Sequence, residues 1–93
     1  MTEQLYIFVM ERGFVLVGMP QQNSDNFLFW NLTSCGVVRN WGTTEGLGQL
    51  AREGPRTETK IDREPDGTEI SKHATYRRIP CNMKAWKKWL SDS

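Results

Sequence analysis

Apolar positions crowd the first twenty residues and thin out afterwards. In LYIFVMERGFVLVGM, Leu5, Ile7 and Val9 alternate with Tyr6, Phe8 and Met10, so a strand drawn through them is apolar on both faces. A second run, Phe14 to Val17, follows Arg12-Gly13, where glycine tolerates the positive φ of a tight turn. The pattern predicts a β-hairpin. A sheet with one wet face shows a polar residue at every second position, and this hairpin does not. It is either covered on both sides or used as a contact between subunits. In so short a chain we expect the second arrangement, a homo-oligomer formed through the N-terminal hairpin.

PQQNSDN (Pro20 to Asn26) reads as a polar loop. FLFWNLTS predicts a third strand, with Phe27, Phe29 and Asn31 on one face and Leu28, Trp30 and Leu32 on the other. GVVRNW predicts a short fourth strand. In TTEGLGQLAREGP, Leu47, Leu50 and Ala51 fall at i, i+3 and i+4 and predict a helix stopped by Gly54-Pro55. Gly46 and Gly48 would together cost such a helix about 2 kcal/mol relative to alanine, so its surroundings must hold it. TETKIDREPDGTEISK is polar and turn-rich, with Pro65-Asp66-Gly67 as a strong turn signal. ATYRRI (Ala74 to Ile79) predicts a later strand ended by Pro80. Asn82 then caps a short helix over MKAWKKWL, with Met83, Trp86 and Leu90 on one face and Lys84, Lys87 and Lys88 elsewhere. The expected fold is α+β: a small, strongly bent antiparallel sheet or partly open barrel of about five strands with two short helices, in a single domain over residues 1–93.

Composition narrows the function classes. The net charge of +1 lacks the basic excess usual in nucleic-acid binders. Cys35 and Cys81 form no Cys-x-x-Cys pair, and one histidine, His73, leaves too few soft ligands for a zinc site. Glu11 and Arg12 interrupt the first apolar run, so neither a secretory leader nor a membrane span is expected, and the cytoplasm is the default location. Neither a cofactor nor a metal site is expected.

RNWGTTEGLGQL is the segment that points to chemistry. A glycine-threonine turn opening a helix presents backbone N–H groups to an anion. Arg39 would neutralise a phosphate, Trp41 would stack on a base, and Gly42, Thr43, Thr44 and Gly46 would line the pocket. The stretch matches neither the Walker A pattern nor the dinucleotide fingerprint. A plain structural role stands beside this reading: Thr43 or Thr44 caps the helix, Glu45 answers its dipole, and Trp41 belongs to the core. Arg77 and Arg78, adjacent on a strand, point to opposite faces. Trp86 and Trp89 fit core and edge packing. Asp62, Glu64, Asp66 and Glu69 lack the spacing of a calcium loop, and no base, nucleophile and orienter come together as an enzyme needs.

YIFVMERGFVLVG, VVRNWGTTEGLGQLAREGP and HATYRRIPC together resemble a family of small phage and prophage proteins. Its central signature, V-I-R-x-W-G-T-T-x-G-L-G-x-L-A-x-x-G-P, is matched from Val37 through Pro55, with Val38 in place of isoleucine. The resemblance leaves out the 20–26 loop and the lysine-rich end. It implies a phage setting and carries no activity. By analogy of class, small phage proteins of this size inhibit bacterial defence, in some cases by sequestering a nucleotide signal. The leading expectation is therefore a non-enzymatic homo-oligomer that holds a small phosphorylated ligand, such as a cyclic nucleotide, in the host cytoplasm. The alternatives are a protein-interaction module that blocks a host factor, and a small β-barrel that binds RNA or DNA.

Overall fold

A computed structural model describes residues 3–21 and 27–92. Most of the polar loop expected over 20–26 lies outside the described residues. The elements are β1 (Tyr6–Met10), β2 (Val15–Pro20), β3 (Phe29–Asn40), α1 (Leu47–Glu53), β4 (Lys60–Glu64), β5 (Thr68–Ser71), β6 (Thr75–Pro80) and α2 (Lys87–Ser91). All strand pairs are antiparallel, in the order β4-β3-β2-β1-β6, with β5 also on β3. The α+β class with two short helices is as expected. The described residues hold six strands rather than five, and the sheet is not closed.

The strand count differs for two reasons. The expected third and fourth strands are one twelve-residue strand, β3, which bends at Ser34 (φ 47°) without ending. The polar segment 57–72 supplies two strands, which lie end to end along one edge of β3. β5 pairs with Phe29–Leu32 and β4 with the Cys35–Asn40 stretch. Pro65-Asp66-Gly67 therefore does not reverse the chain. It makes a jog between two collinear strands, where Gly67 N–H donates to Leu32 O (2.8 Å) and Ser34 N–H donates to Asp66 Oδ1 (3.0 Å).

The sheet must bend strongly. From β5 to β6 is four strand spacings, roughly 19 Å across a flat sheet. The chain from Ser71 to Thr75 reaches at most roughly 14 Å. Rolling the sheet brings the two edges within that reach, and the roll creates an inside. Phe8, Met10, Leu32, Cys35 and Ile70 fill it, with Tyr6, Leu16, Trp30 and Ala74 packed around them. On the outer face Leu5, Ile7, Val15, Val17, Met19 and Val38 meet Leu47, Leu50 and Ala51 of α1 and Trp86 before α2.

The two-sided apolarity of the hairpin is thus accounted for within one chain: β1 and β2 form the wall between two cores. Fully burying a large apolar side chain contributes about 1.5–3 kcal/mol, and Leu5, Ile7, Phe8 and Val17 are all fully buried. Trp86 Nε1–H donates to Leu50 O (3.1 Å) and Ala51 O (3.3 Å), which fixes the C-terminal segment to the end of α1. Asn82 caps as expected, its Oδ1 accepting from Lys84 N–H at 3.0 Å. It caps a run of turns over 83–86, however, and the helix proper is confined to Lys87–Ser91.

Candidate functional site

β3 delivers the expected site to the edge of the sheet and then leaves it. Arg39, near the end of β3, reaches across to β4 and pairs with Asp62 at 2.8 Å, both side chains mostly exposed (66% and 60%). Trp41 is neither core nor free-standing. It is 42% exposed, its ring edge lies against Gly46, and its carbonyl accepts from Thr59 Oγ1–H at 2.7 Å. Gly42 (φ 69°) lets the chain press onto the following loop, since a Cβ there would lie 2.5 Å from Thr59 N.

The threonine-glycine turn is satisfied from within. Thr43 Oγ1–H donates to Gly46 O at 2.8 Å. The N–H groups of Thr44 and Glu45 both donate to Oε1 of Gln49, at 3.0 and 2.7 Å. Gln49 is the buried polar residue of the described chain, and its Nε2–H group donates to Glu53 Oε1 at 3.1 Å. A glutamine at the third helical position reaching back to N–H groups ahead of the helix is a variant of the capping box. A neutral amide oxygen therefore sits where an anion's oxygen would accept those two donors. Gly46 has φ 82° and stands before the helix as its N-cap, so α1 starts at Leu47 and only Gly48 of the two glycines is helical.

Residues 40–44 nevertheless form one wall of a cleft of about 450 Å³, lined by Asn40, Gly42, Thr43, Thr44, Arg56, Thr57 and Glu58. A second cleft of about 450 Å³, lined by Pro55, Arg56, Thr57, Ala85, Lys88, Trp89 and Asp92, shares Arg56 and Thr57 with the first. Arg56 stands between them and is ion-paired to Glu53. The structure brings Gly42, Thr43 and Thr44 together in the first cleft. Arg39, Trp41 and Gly46 are not in its lining. Sequence reasoning missed Asn40, Arg56, Thr57 and Glu58, which join the site only through the tertiary fold. Gln49 carried no signal either, since the helical period puts it across the helix from Leu47, Leu50 and Ala51.

The other residues singled out in the sequence are dispersed. Cys35 lies in the inner core and Cys81 in the outer one, both as free thiols. Burial is the main cause that pushes Cys35 up to about 11, with Glu64 and Asp66 adding to it, and burial pushes Cys81 up to about 12. Arg77 pairs across from Val9 and Arg78 from Phe8, so the two arginines take opposite faces. Arg63 stacks on Trp89 at 4.1 Å. Among the described residues, no group of three or more His, Cys, Asp or Glu side chains is arranged to hold a metal, and no helix is long and apolar enough to cross a membrane. No protein-family model, curated protein or solved structure matches this chain.

Proposed function

We propose that the protein is a non-catalytic binding module whose cleft between residues 40–44 and 56–58 holds a small phosphorylated ligand, such as a cyclic nucleotide. The lining carries the reading. Asn40, Thr43, Thr44 and Thr57 surround about 450 Å³ with amide and hydroxyl groups, and Arg56 adds a guanidinium. That volume lies within the range of small-molecule sites. Arg56 takes the phosphate-pairing role first expected of Arg39, because Arg56 lines the cleft and Arg39 does not; a bound phosphate would share the Arg56 guanidinium with Glu53. Glu58 on the same wall disfavours a ligand carrying charge all round, and favours one whose anionic group is confined to the Arg56 side.

In the phage setting implied by the family resemblance, such a module acts by sequestering a nucleotide signal of host defence. Both faces of the β1–β2 hairpin are covered within the chain, so for a homo-oligomer we propose a contact at the hairpin tip, where Phe14 is exposed.

The test is a thermal-shift screen at low salt with mononucleotides, cyclic nucleotides and dinucleotides, run on the wild type, Arg56→Ala and Arg39→Ala. At least one nucleotide should raise the melting temperature of the wild type and of Arg39→Ala, and leave that of Arg56→Ala unchanged. A panel with no response, or an equal response in Arg56→Ala, rules the cleft out.

A further inference from the structure

The two walls of the cleft are tied together by side chains that do not line it. Arg56 N–H, on one wall, donates to Thr59 Oγ1 at 2.9 Å, and Thr59 Oγ1–H donates to Trp41 O, in the segment of the other wall, at 2.7 Å. A second path runs through α1. Thr44 N–H donates to Gln49 Oε1 (3.0 Å), Gln49 Nε2–H donates to Glu53 Oε1 (3.1 Å), and the Arg56 guanidinium donates to that same Glu53 oxygen. The paths meet at Arg56, one at its main chain and one at its side chain, and residues 41–44 connect their far ends. They form a closed circuit. Thr59, Gln49 and Glu53 complete it, although none of them is in the cleft lining.

The links are unequal. Glu53 and Arg56 are about half exposed, and an exposed ion pair contributes little on its own. Gln49 is buried, and its oxygen serves the N–H groups of both Thr44 and Glu45. Thr59 carries the other path alone. Its one oxygen both accepts from Arg56 and donates to Trp41, and bonds in such a chain polarise and strengthen each other. Gly42 makes the approach possible, since a Cβ there would lie 2.7 Å from Thr59 Oγ1. A hydroxyl that only closed its own turn would bond Arg56 and stop there; this one also holds a carbonyl 18 residues earlier in the chain.

We propose that Thr59, with Gln49, is a positioning residue of the cleft: it holds Arg56 and residues 41–44 as one preformed unit. Groups fixed before the ligand arrives bind it more tightly, because less ordering remains to be done on binding. The positioning role rests on the cleft being the nucleotide site proposed above.

The test has two arms. In the first, isothermal titration measures AMP, GMP, cyclic AMP and cyclic GMP on wild type, Thr59→Val, Thr59→Ser and Thr68→Val. Valine keeps the shape and loses the hydroxyl; serine keeps the hydroxyl. Thr68 is the control, since its hydroxyl donates to Pro65 O in a turn outside the cleft. Thr59→Val should weaken the binding seen in wild type about fivefold or more, Thr59→Ser should restore it, and Thr68→Val should leave it unchanged. The second arm needs no ligand and follows amide hydrogen exchange at Thr44 and Glu45, whose N–H groups bond Gln49 and not Thr59. Exchange there should quicken about threefold or more in Thr59→Val and stay unchanged in Thr68→Val. Gln49→Met breaks the other path, should weaken binding likewise, and carries the binding arm should Thr59→Val not fold. If no probe binds the wild type, the nucleotide reading fails and the positioning role falls with it. If wild type binds and Thr59→Val binds equally, or if Thr68→Val loses as much, only the positioning role falls. Unchanged exchange at Thr44 and Glu45 in Thr59→Val also overturns it, because the walls would then move independently.

Discussion

Replacing Gly54 with alanine should be among the most damaging single-methyl changes in the chain. Gly54 ends α1 with φ 82° and ψ 174°, and its N–H donates to Leu50 O at 2.9 Å. That backbone region is nearly closed to other residues and costs them about 1–3 kcal/mol. The added Cβ would also overlap the Ala85 carbonyl oxygen and lie 2.9 Å from its carbon. Ordinary carbon–oxygen contacts are about 3.3–3.6 Å, so the 82–86 segment must retreat by roughly 1 Å. That segment carries the Trp86 indole bonds to Leu50 O and Ala51 O and the Asn82 N–H bond to Ala51 O. Weakening two or three bonds at about 0.5–1.5 kcal/mol each brings the total loss to roughly 3–5 kcal/mol, out of about 5–15 for a typical domain. Gly48→Ala is the control. It is helical, meets only the flexible Arg52 Nη1 at 3.5 Å, and should gain about 1 kcal/mol. Urea denaturation followed by tryptophan fluorescence reads both variants. A Gly54→Ala protein within about 1 kcal/mol of wild type would show that the end of α1 and residue 85 are not in the contact described.

Arg39→Ala should change stability by less than about 1 kcal/mol, because both partners of its ion pair are largely exposed; a larger loss in urea melts would mean that Asp62 needs it structurally. At pH 8 neither Cys35 nor Cys81 should react with a thiol reagent until the protein unfolds, since burial raises both thiols to about 11 and about 12; prompt labelling of native protein would contradict this. The hydrogen bond from Arg56, and next that from Gln49, holds the Glu53 carboxyl below its ordinary value of 4.5. A lowered pKa contributes stability that is present above the unfolded value and lost as pH falls through the folded one. Wild type should therefore lose more stability than Glu53→Gln as pH drops below about 4.5, and parallel pH profiles would remove the basis for this. Trp86→Phe should cost about 1.5–3 kcal/mol from lost volume and the indole bond, measured by chemical denaturation.

The hairpin was legible because its pattern is dense: Tyr6 to Val17 are apolar almost without interruption, and both faces proved to be buried. β4 and β5 were not legible, because each offers one inward apolar side chain, Ile61 and Ile70, amid residues that face water. Only the pairing with β3 makes them strands. Ser34-Cys35-Gly36 looked like a break between two strands, yet one residue at positive φ absorbs the bend. Gly42, Thr43 and Thr44, singled out by composition, line one wall of the cleft. The opposite wall, Arg56 to Glu58, and the Gln49 oxygen that occupies the turn's N–H groups depend on how α1 lies against the next loop. Local spacing does not encode that.

The shared wall between the two cores also sets an order of events during synthesis. The hairpin leaves the ribosome before any of its covers: α1 and the Trp86 segment on one side, β3 and β5 side chains on the other. β1 pairs with β6 as far as Pro80, some sixty residues after β2 ends. At about 5–20 residues per second, roughly 3–12 s pass before Ile7, Phe8 and Val17 have covers on both faces. A nascent chain in that state offers a bare two-stranded ribbon to neighbouring chains, so the yield of native protein should depend on elongation rate and holding chaperones more than its final stability would indicate.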